Sequence, residues 1–132
     1  MIDIVNDLPD GVAGFVAKGR VTRKDYEDVL IPAMETALKA NRKVRCYYEL
    51  GPEFSGMDPA AAWEDFKLGI QHLSQWERVA VVTDVEWIRI ALSVFRFLIP
   101  GEVRVFGAGQ SAQARQWIIE GKTLTDAPSG PA

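Results

Sequence analysis

One cysteine and one histidine stand in 132 residues, and each shortage removes a class of chemistry. Cys46 alone excludes an internal disulfide and suits a reducing cytoplasm. It lies between apolar strand neighbours, where a core residue is expected rather than a nucleophile. His72 has no second ligand at metal-binding spacing, so the expectation is a solvated helix histidine, with no metal and no cofactor. Positive charge is also scarce: 15 Lys and Arg face 18 Asp and Glu, a net charge of −3. That argues against nucleic-acid binding, which needs a basic surface. Met1-Ile2-Asp3-Ile4 lacks the basic and then apolar pattern of a signal peptide. No apolar run reaches membrane-spanning length. The longest helix candidate, 85–99, would measure about 22 Å against a hydrocarbon core of about 30 Å, and two arginines interrupt it.

What remains is a chain that is 48% hydrophobic and long enough for one domain with a real core. The expected domain covers 1–121. Residues 122–132, ending Asp-Ala-Pro-Ser-Gly-Pro-Ala, are expected to be a disordered tail. Ile2 to Val5 and Val12 to Lys18 read as an antiparallel pair of strands joined by a turn-rich connection. Thr22-Arg23-Lys24-Asp25 approximates a capping box and opens a helix with an apolar stripe from Tyr26 to Leu38. Pro32 inside that stripe removes the amide that would bond the Asp28 carbonyl, so a kink or two short helices are expected.

Val44 to Leu50 alternates: Val44, Cys46, Tyr48 and Leu50 face one way, and Arg45, Tyr47 and Glu49 the other. Gly51 to Met57 reads as a loop. Asp58 then caps a helix with Pro59 at its first position. Trp63, Phe66, Ile70 and Leu73 are expected on its buried face, and Glu64, Asp65, Lys67 and Gln71 outside. Arg78 to Thr83 is nearly all apolar, the pattern of a central parallel strand. Glu102 to Phe106, polar on one face, reads as an edge strand. Gly107-Ala108-Gly109 turns into a last helix from about Gln110 to Glu120, with Gly121 closing it. The order β-β-α-β-α-β-α-β-α implies a mixed sheet of five strands, the first antiparallel, with four main helices.

The segment from Asp84 to Pro100 is the most informative. Asp84 is placed to cap the helix and Pro100 to stop it. Its polar residues Glu86, Arg89, Ser93 and Arg96 fall within an arc of roughly 80°. The rest is apolar, more than one face packed on a sheet requires. Trp87, Ile88, Leu92, Phe95 and Ile99 are therefore candidates for contact with an apolar ligand, a lipid surface or a partner chain. Arg89 and Arg96 are placed to meet anionic headgroups while the flanks insert.

Arg78 to Asp84 followed by Trp87, then Glu102 to Phe106 and Ala114-Arg115-Gln116-Trp117-Ile118, resemble the SpoIIAA-like family. That family is related to the STAS domains typified by the sporulation anti-sigma-factor antagonist. The resemblance covers about residues 2 to 121. It implies an α/β fold, a βα superhelix with a mixed sheet, similar to CRAL-TRIO-type lipid-binding folds. It also implies a non-enzymatic role in regulation, protein interaction or binding of an apolar ligand. Antagonists of the STAS type switch on a serine in an Asp-Ser-Ser-Gly-like turn. Here the region reads Phe54-Ser55-Gly56-Met57-Asp58, so the fragment Ser55-Gly56 is present but no Asp precedes Ser55.

The expected function is a cytoplasmic, non-catalytic interaction module, soluble or peripheral to a membrane. It is expected to form a homodimer and to bind an apolar molecule or lipid surface through helix 85–99. The alternative is an antagonist controlled by phosphorylation at Ser55, since a helix N-terminus favours phosphate. A hydrolase would need Asp58, Asp65 and His72 to converge. Gly107 to Ser111 enters a helix where amides can meet an anion, but it lacks the rest of a dinucleotide fingerprint, and a tight turn is the better reading. A crevice in an α/β sheet is expected outside the carboxyl ends of the strands, at Gly51 to Met57, Thr83-Asp84 and Gly107 to Ser111.

Overall fold

The computed structural model describes residues 1–120, apart from the side chains of Phe66 and Ile70. The tail expected at 122–132 and the closing role expected of Gly121 lie outside the described residues. Segments with alternating or β-branched residues form five strands: β1 (Ile2–Val5), β2 (Val12–Val21), β3 (Val44–Met57), β4 (Trp76–Thr83) and β5 (Glu102–Phe106). They lie in chain order in one sheet. β1 runs antiparallel to β2, with Ile2 opposite Ala17 and Val5 opposite Gly14, and every other pair is parallel.

Right-handed crossovers between consecutive parallel strands put their helices on one face of the sheet. That face carries α1 (Arg23–Asp25), a π-helical segment (Tyr26–Leu30) and α2 (Ile31–Ala40), then α3 (Pro59–Gln71) and α4 (Glu86–Phe95). α5 (Ser111–Ile119) follows the last strand and covers the opposite face. The period of β3 divides the core as its sequence demands. Val44, Cys46, Tyr48 and Leu50 join the larger core under the crossover helices, and Tyr47 joins Phe106, Trp117 and Ile118 under α5. Fully burying one such large side chain contributes about 2–3 kcal/mol.

Local chemistry sets the helix boundaries. The Thr22 hydroxyl accepts from the Asp25 amide at 3.2 Å, and Asp25 returns the bond to the Thr22 amide at 2.8 Å. Pro32 sits in the first turn of α2, directly after the π-helical segment, so the expected kink takes the form of a widened turn. Asp58 occupies the cap position of α3, but its side chain accepts from Arg20 Nε at 2.6 Å instead of capping.

Several expectations are corrected. Gly51 to Met57 is not a loop: it prolongs β3, because Gly19 to Val21 of β2 supplies backbone partners. Gly19, at φ +58°, lets β2 shift register there, a conformation that costs glycine little. Trp63 is exposed, and among the described side chains of α3 Ala61 and Leu68 are buried, as is Gly69; Leu73 is half-buried against the core, and the expectation for Phe66 and Ile70 lies outside the described side chains. α4 is shorter than 85–99. Val85 holds its cap position, and Asp84 instead accepts from the Ala108 amide at 3.1 Å. α5 begins at Ser111, after a 3-10 turn at Ala108–Gln110.

Candidate functional site

α4 is joined to its own domain by a narrow strip of contacts. Ile88 is its one buried residue, while Leu92 and Phe95 are half-buried. Beyond its end, the chain turns and buries Ile99 before Pro100. Beyond the cavity side the surface of α4 and the turn after it stays apolar and open: Ile90 is 58% exposed and Phe97 80%, and Val94, at the cavity's edge, 65%. A monomer rarely leaves such a run uncovered without a use for it.

Beneath α4 lies a cavity of about 400 Å³. Trp87, Ile88, Ala91, Leu92, Phe95 and Leu98 form its outer wall. Tyr48 and Leu50 of β3, Val81 of β4, Met57, and Ala62 and Asp65 of α3 form the rest. A deeper lobe of about 90 Å³ continues between α2, α3 and the sheet, past Met34, Cys46, Trp76 and Ile99. Tyr48, Asp65, Val81, Leu92 and Phe95 line both lobes. Gly69 makes room at the boundary, since a Cβ there would stand 2.8 Å from Phe95 Cζ. Trp76 Nε1 donates to the Gly69 carbonyl at 3.0 Å and holds the end of α3 against β4.

The polar features of this site are few. Tyr26 Oη donates to Asp65 Oδ1 at 3.1 Å, and the Tyr26 and Tyr48 hydroxyls are 3.0 Å apart. With the Tyr26 proton on Asp65, Tyr48 is the donor in the second bond. Asp65 is open to water through the cavity, yet protein surrounds it on its other sides. That seclusion pushes its carboxyl up to about 6, partly offset by the Tyr26 hydrogen bond. The Cys46 thiol is pushed up to about 12, first by burial and then by the nearby Asp65 charge, so it stays protonated.

Of the residues expected to bind, Trp87, Ile88, Leu92 and Phe95 come together on the cavity, and Ile99 lines its deeper lobe. Arg89 and Arg96 do not join them. Arg89 Nη1 donates to the Thr83 carbonyl at 2.8 Å, and the Arg96 guanidinium lies 5.4 Å from the Phe97 ring centre. Ser55 is exposed on the outer part of β3, four residues before α3 begins.

The hydrolase set does not converge. Asp58 holds Arg20, Asp65 holds Tyr26, and His72 Nδ1 lies 3.1 Å from Gln75 Oε1. The amides of Gly107 and Ala108 are already taken by Gln110 and Asp84, so that turn is occupied by its own side chains. Among the described residues, no three His, Cys, Asp or Glu side chains gather as a metal site, and no helix is long and apolar enough to cross a membrane.

Asp65 is exposed, as expected of it, but its exposed side opens onto the cavity, which sequence reasoning did not foresee. The signal was present: Ala61, Ala62, Asp65, Leu68 and Gly69 recur at helical spacing and share one face. Of the three segments expected to border a crevice, only Met57 lines the cavity beneath α4, whereas Asp84 borders a separate, open hollow with Glu86, Arg89, Ile90 and Ser93.

Comparison with known proteins agrees with this architecture. The SpoIIAA-like family is matched over residues 12–119. The fold is similar to that of an uncharacterised protein of the DUF3478 family with a SpoIIAA-like fold from Shewanella loihica PV-4. The two are 30% identical, the TM-score is 0.69, and the alignment covers 89% of this chain and 92% of the other. No curated protein matches the chain significantly. With four-fifths of its length matched and its strand order that of a βα superhelix, this chain belongs to the SpoIIAA-like family.

Proposed function

We propose that the protein is a non-catalytic binding module that holds a small apolar molecule in the cavity beneath α4. The cavity itself carries this reading. At about 400 Å³ it falls in the range of small-molecule pockets, and its walls are apolar apart from the Tyr48 hydroxyl and Asp65. Filling it would bury the inner faces of Trp87, Leu92 and Phe95, which the protein alone leaves half-covered. Each 100 Å² of apolar surface removed from water contributes about 2.5 kcal/mol. The reading needs no reacting group, which fits a cysteine held as a thiol and a histidine outside the cavity walls.

The outer flank of α4 supports a second reading that is compatible with the first. Phe97, at the exposed end of the helix with Arg96 stacked over it, makes an aromatic–cationic pair suited to a lipid interface. The same flank would equally be covered in a homodimer.

Native mass spectrometry of protein purified without detergent tests both readings. Extra mass that organic extraction removes supports the cavity reading and identifies the occupant. A dimer without extra mass assigns the flank to the partner subunit. A bare monomer that also fails to bind neutral alkyl probes would overturn the proposal.

A further inference from the structure

Asp65 is the one charged side chain among the described residues lining either lobe, and it lines both. Among the described residues, no lysine or arginine reaches it. Tyr26 spends its single proton on Oδ1, and among the described residues no hydrogen bond reaches Oδ2. The cavity side of Asp65 is open to water, so a ligand that enters the cavity and displaces that water must supply a donor in its place. The empty position beside Oδ2 is therefore a place for a ligand's donor. The deeper lobe, about 90 Å³, has space for a group of about three heavy atoms at about 30 Å³ per water-sized unit.

Building on the cavity reading above, we propose that the ligand is an amphiphile whose apolar body fills the outer lobe. Its polar group is a hydrogen-bond donor without negative charge, a hydroxyl or an ammonium, seated on Asp65 where the two lobes meet. A hydroxyl donates to the carboxylate whether or not an apolar tail follows it, and an ammonium also neutralises it. A carboxylate head would instead set a second anion beside the first.

The groups facing Asp65 leave it to titrate alone. The π-helical segment offers Tyr26, and β3 offers Tyr48 and Cys46, all raised above their ordinary values and neutral through the physiological range. β4 and α4 face it with Val81, Leu92 and Phe95. Above about 6 the site is anionic and disfavours alkanoates; below that, the protonated carboxyl can itself donate to them.

The test titrates the full chain with 1-decanol, decylamine and decanoate, each below its micelle concentration, by calorimetry at pH 8 and pH 5. At pH 8 decanol and decylamine bind, and decanoate binds more weakly by about tenfold or more, the expected effect of two like charges in a secluded site. At pH 5 the gap closes. Asp65→Asn, which keeps an acceptor for Tyr26, brings decanoate closer to decanol at pH 8. The comparison in the unaltered protein stands even if that variant folds poorly. Decanoate binding as tightly as decanol at pH 8 overturns the head-group assignment while leaving the cavity reading intact. Failure of all three probes overturns the cavity reading and this assignment with it.

Discussion

Replacing Asp65 by asparagine should make the protein more stable at pH 8. The folded state raises this carboxyl from 3.8 to about 6, so folding favours the protonated form. A group raised in this way contributes most below its unfolded value, and the contribution is lost as pH rises through the folded value. At pH 8 the ionised carboxylate is a burden on the folded state. A shift of that size would be worth about 3 kcal/mol for a carboxyl sealed from water. Water reaches Asp65 through the cavity, which screens the charge and reduces the working figure to about 1 kcal/mol. Asparagine is nearly isosteric, keeps the acceptor for Tyr26 Oη and carries no charge. Urea denaturation of both proteins, followed by tryptophan fluorescence, measures the difference. The variant should lead by about 1 kcal/mol at pH 8, by roughly half of that near pH 5, and by almost nothing near pH 4. A variant that is less stable at pH 8, or an advantage that does not change with pH, would refute the reasoning.

Tyr26→Phe removes the hydrogen bond that favours the ionised Asp65 and strands the Tyr48 hydroxyl. The Asp65 titration, followed by carbon NMR of its carboxyl, should move upward, and stability should fall by about 1–2 kcal/mol. Arg45→Met tests the opposite face. Arg45 is buried, pairs with Glu77 at 2.7 Å, and gives Nη1 to the carbonyls of Ile118 at 2.9 Å and Glu120 at 2.6 Å. Losing it leaves the end of α5 without those donors, and the urea midpoint should drop by the equivalent of about 2–3 kcal/mol. Gly101→Ala drives a Cβ into the backbone carbonyls of Trp76 and Glu77, which cannot swing aside as a side chain would. The expected loss is about 2 kcal/mol or more, and an unchanged melting temperature would contradict the packing described at that turn.

The sheet was legible because its signals are local and repeated. The alternation from Val44 to Leu50 assigned each residue to one face, and the β-branched run from Arg78 to Thr83 marked a strand flanked on both sides. Thr22 and Asp25 announced their helix in four letters. The outer half of β3 was not legible, because Gly51, Pro52, Ser55 and Gly56 are poor strand formers. Backbone partners from a bulged stretch of β2 decide its conformation. In α3, the bulk of Trp63 suggested burial where the structure exposes it, whereas the residues that meet the cavity, Ala62 and Asp65, carry little hydrophobic signal. For α4, composition showed a surplus of apolar surface. It could not show that part of the surplus borders a hollow, since a void depends on how far apart α3, α4 and the sheet come to rest.

The account stands or falls on whether the space beneath α4 takes up a ligand. The most direct measurement is an NMR titration of methyl-labelled protein with 1-decanol at pH 8. Shifts are predicted at the methyl groups of Leu50, Val81, Ile88 and Leu92, which face the cavity, with Ile90 and Ile4 little changed. Shifts confined to Ile90 and other exposed methyl groups, or none at all, would contradict it.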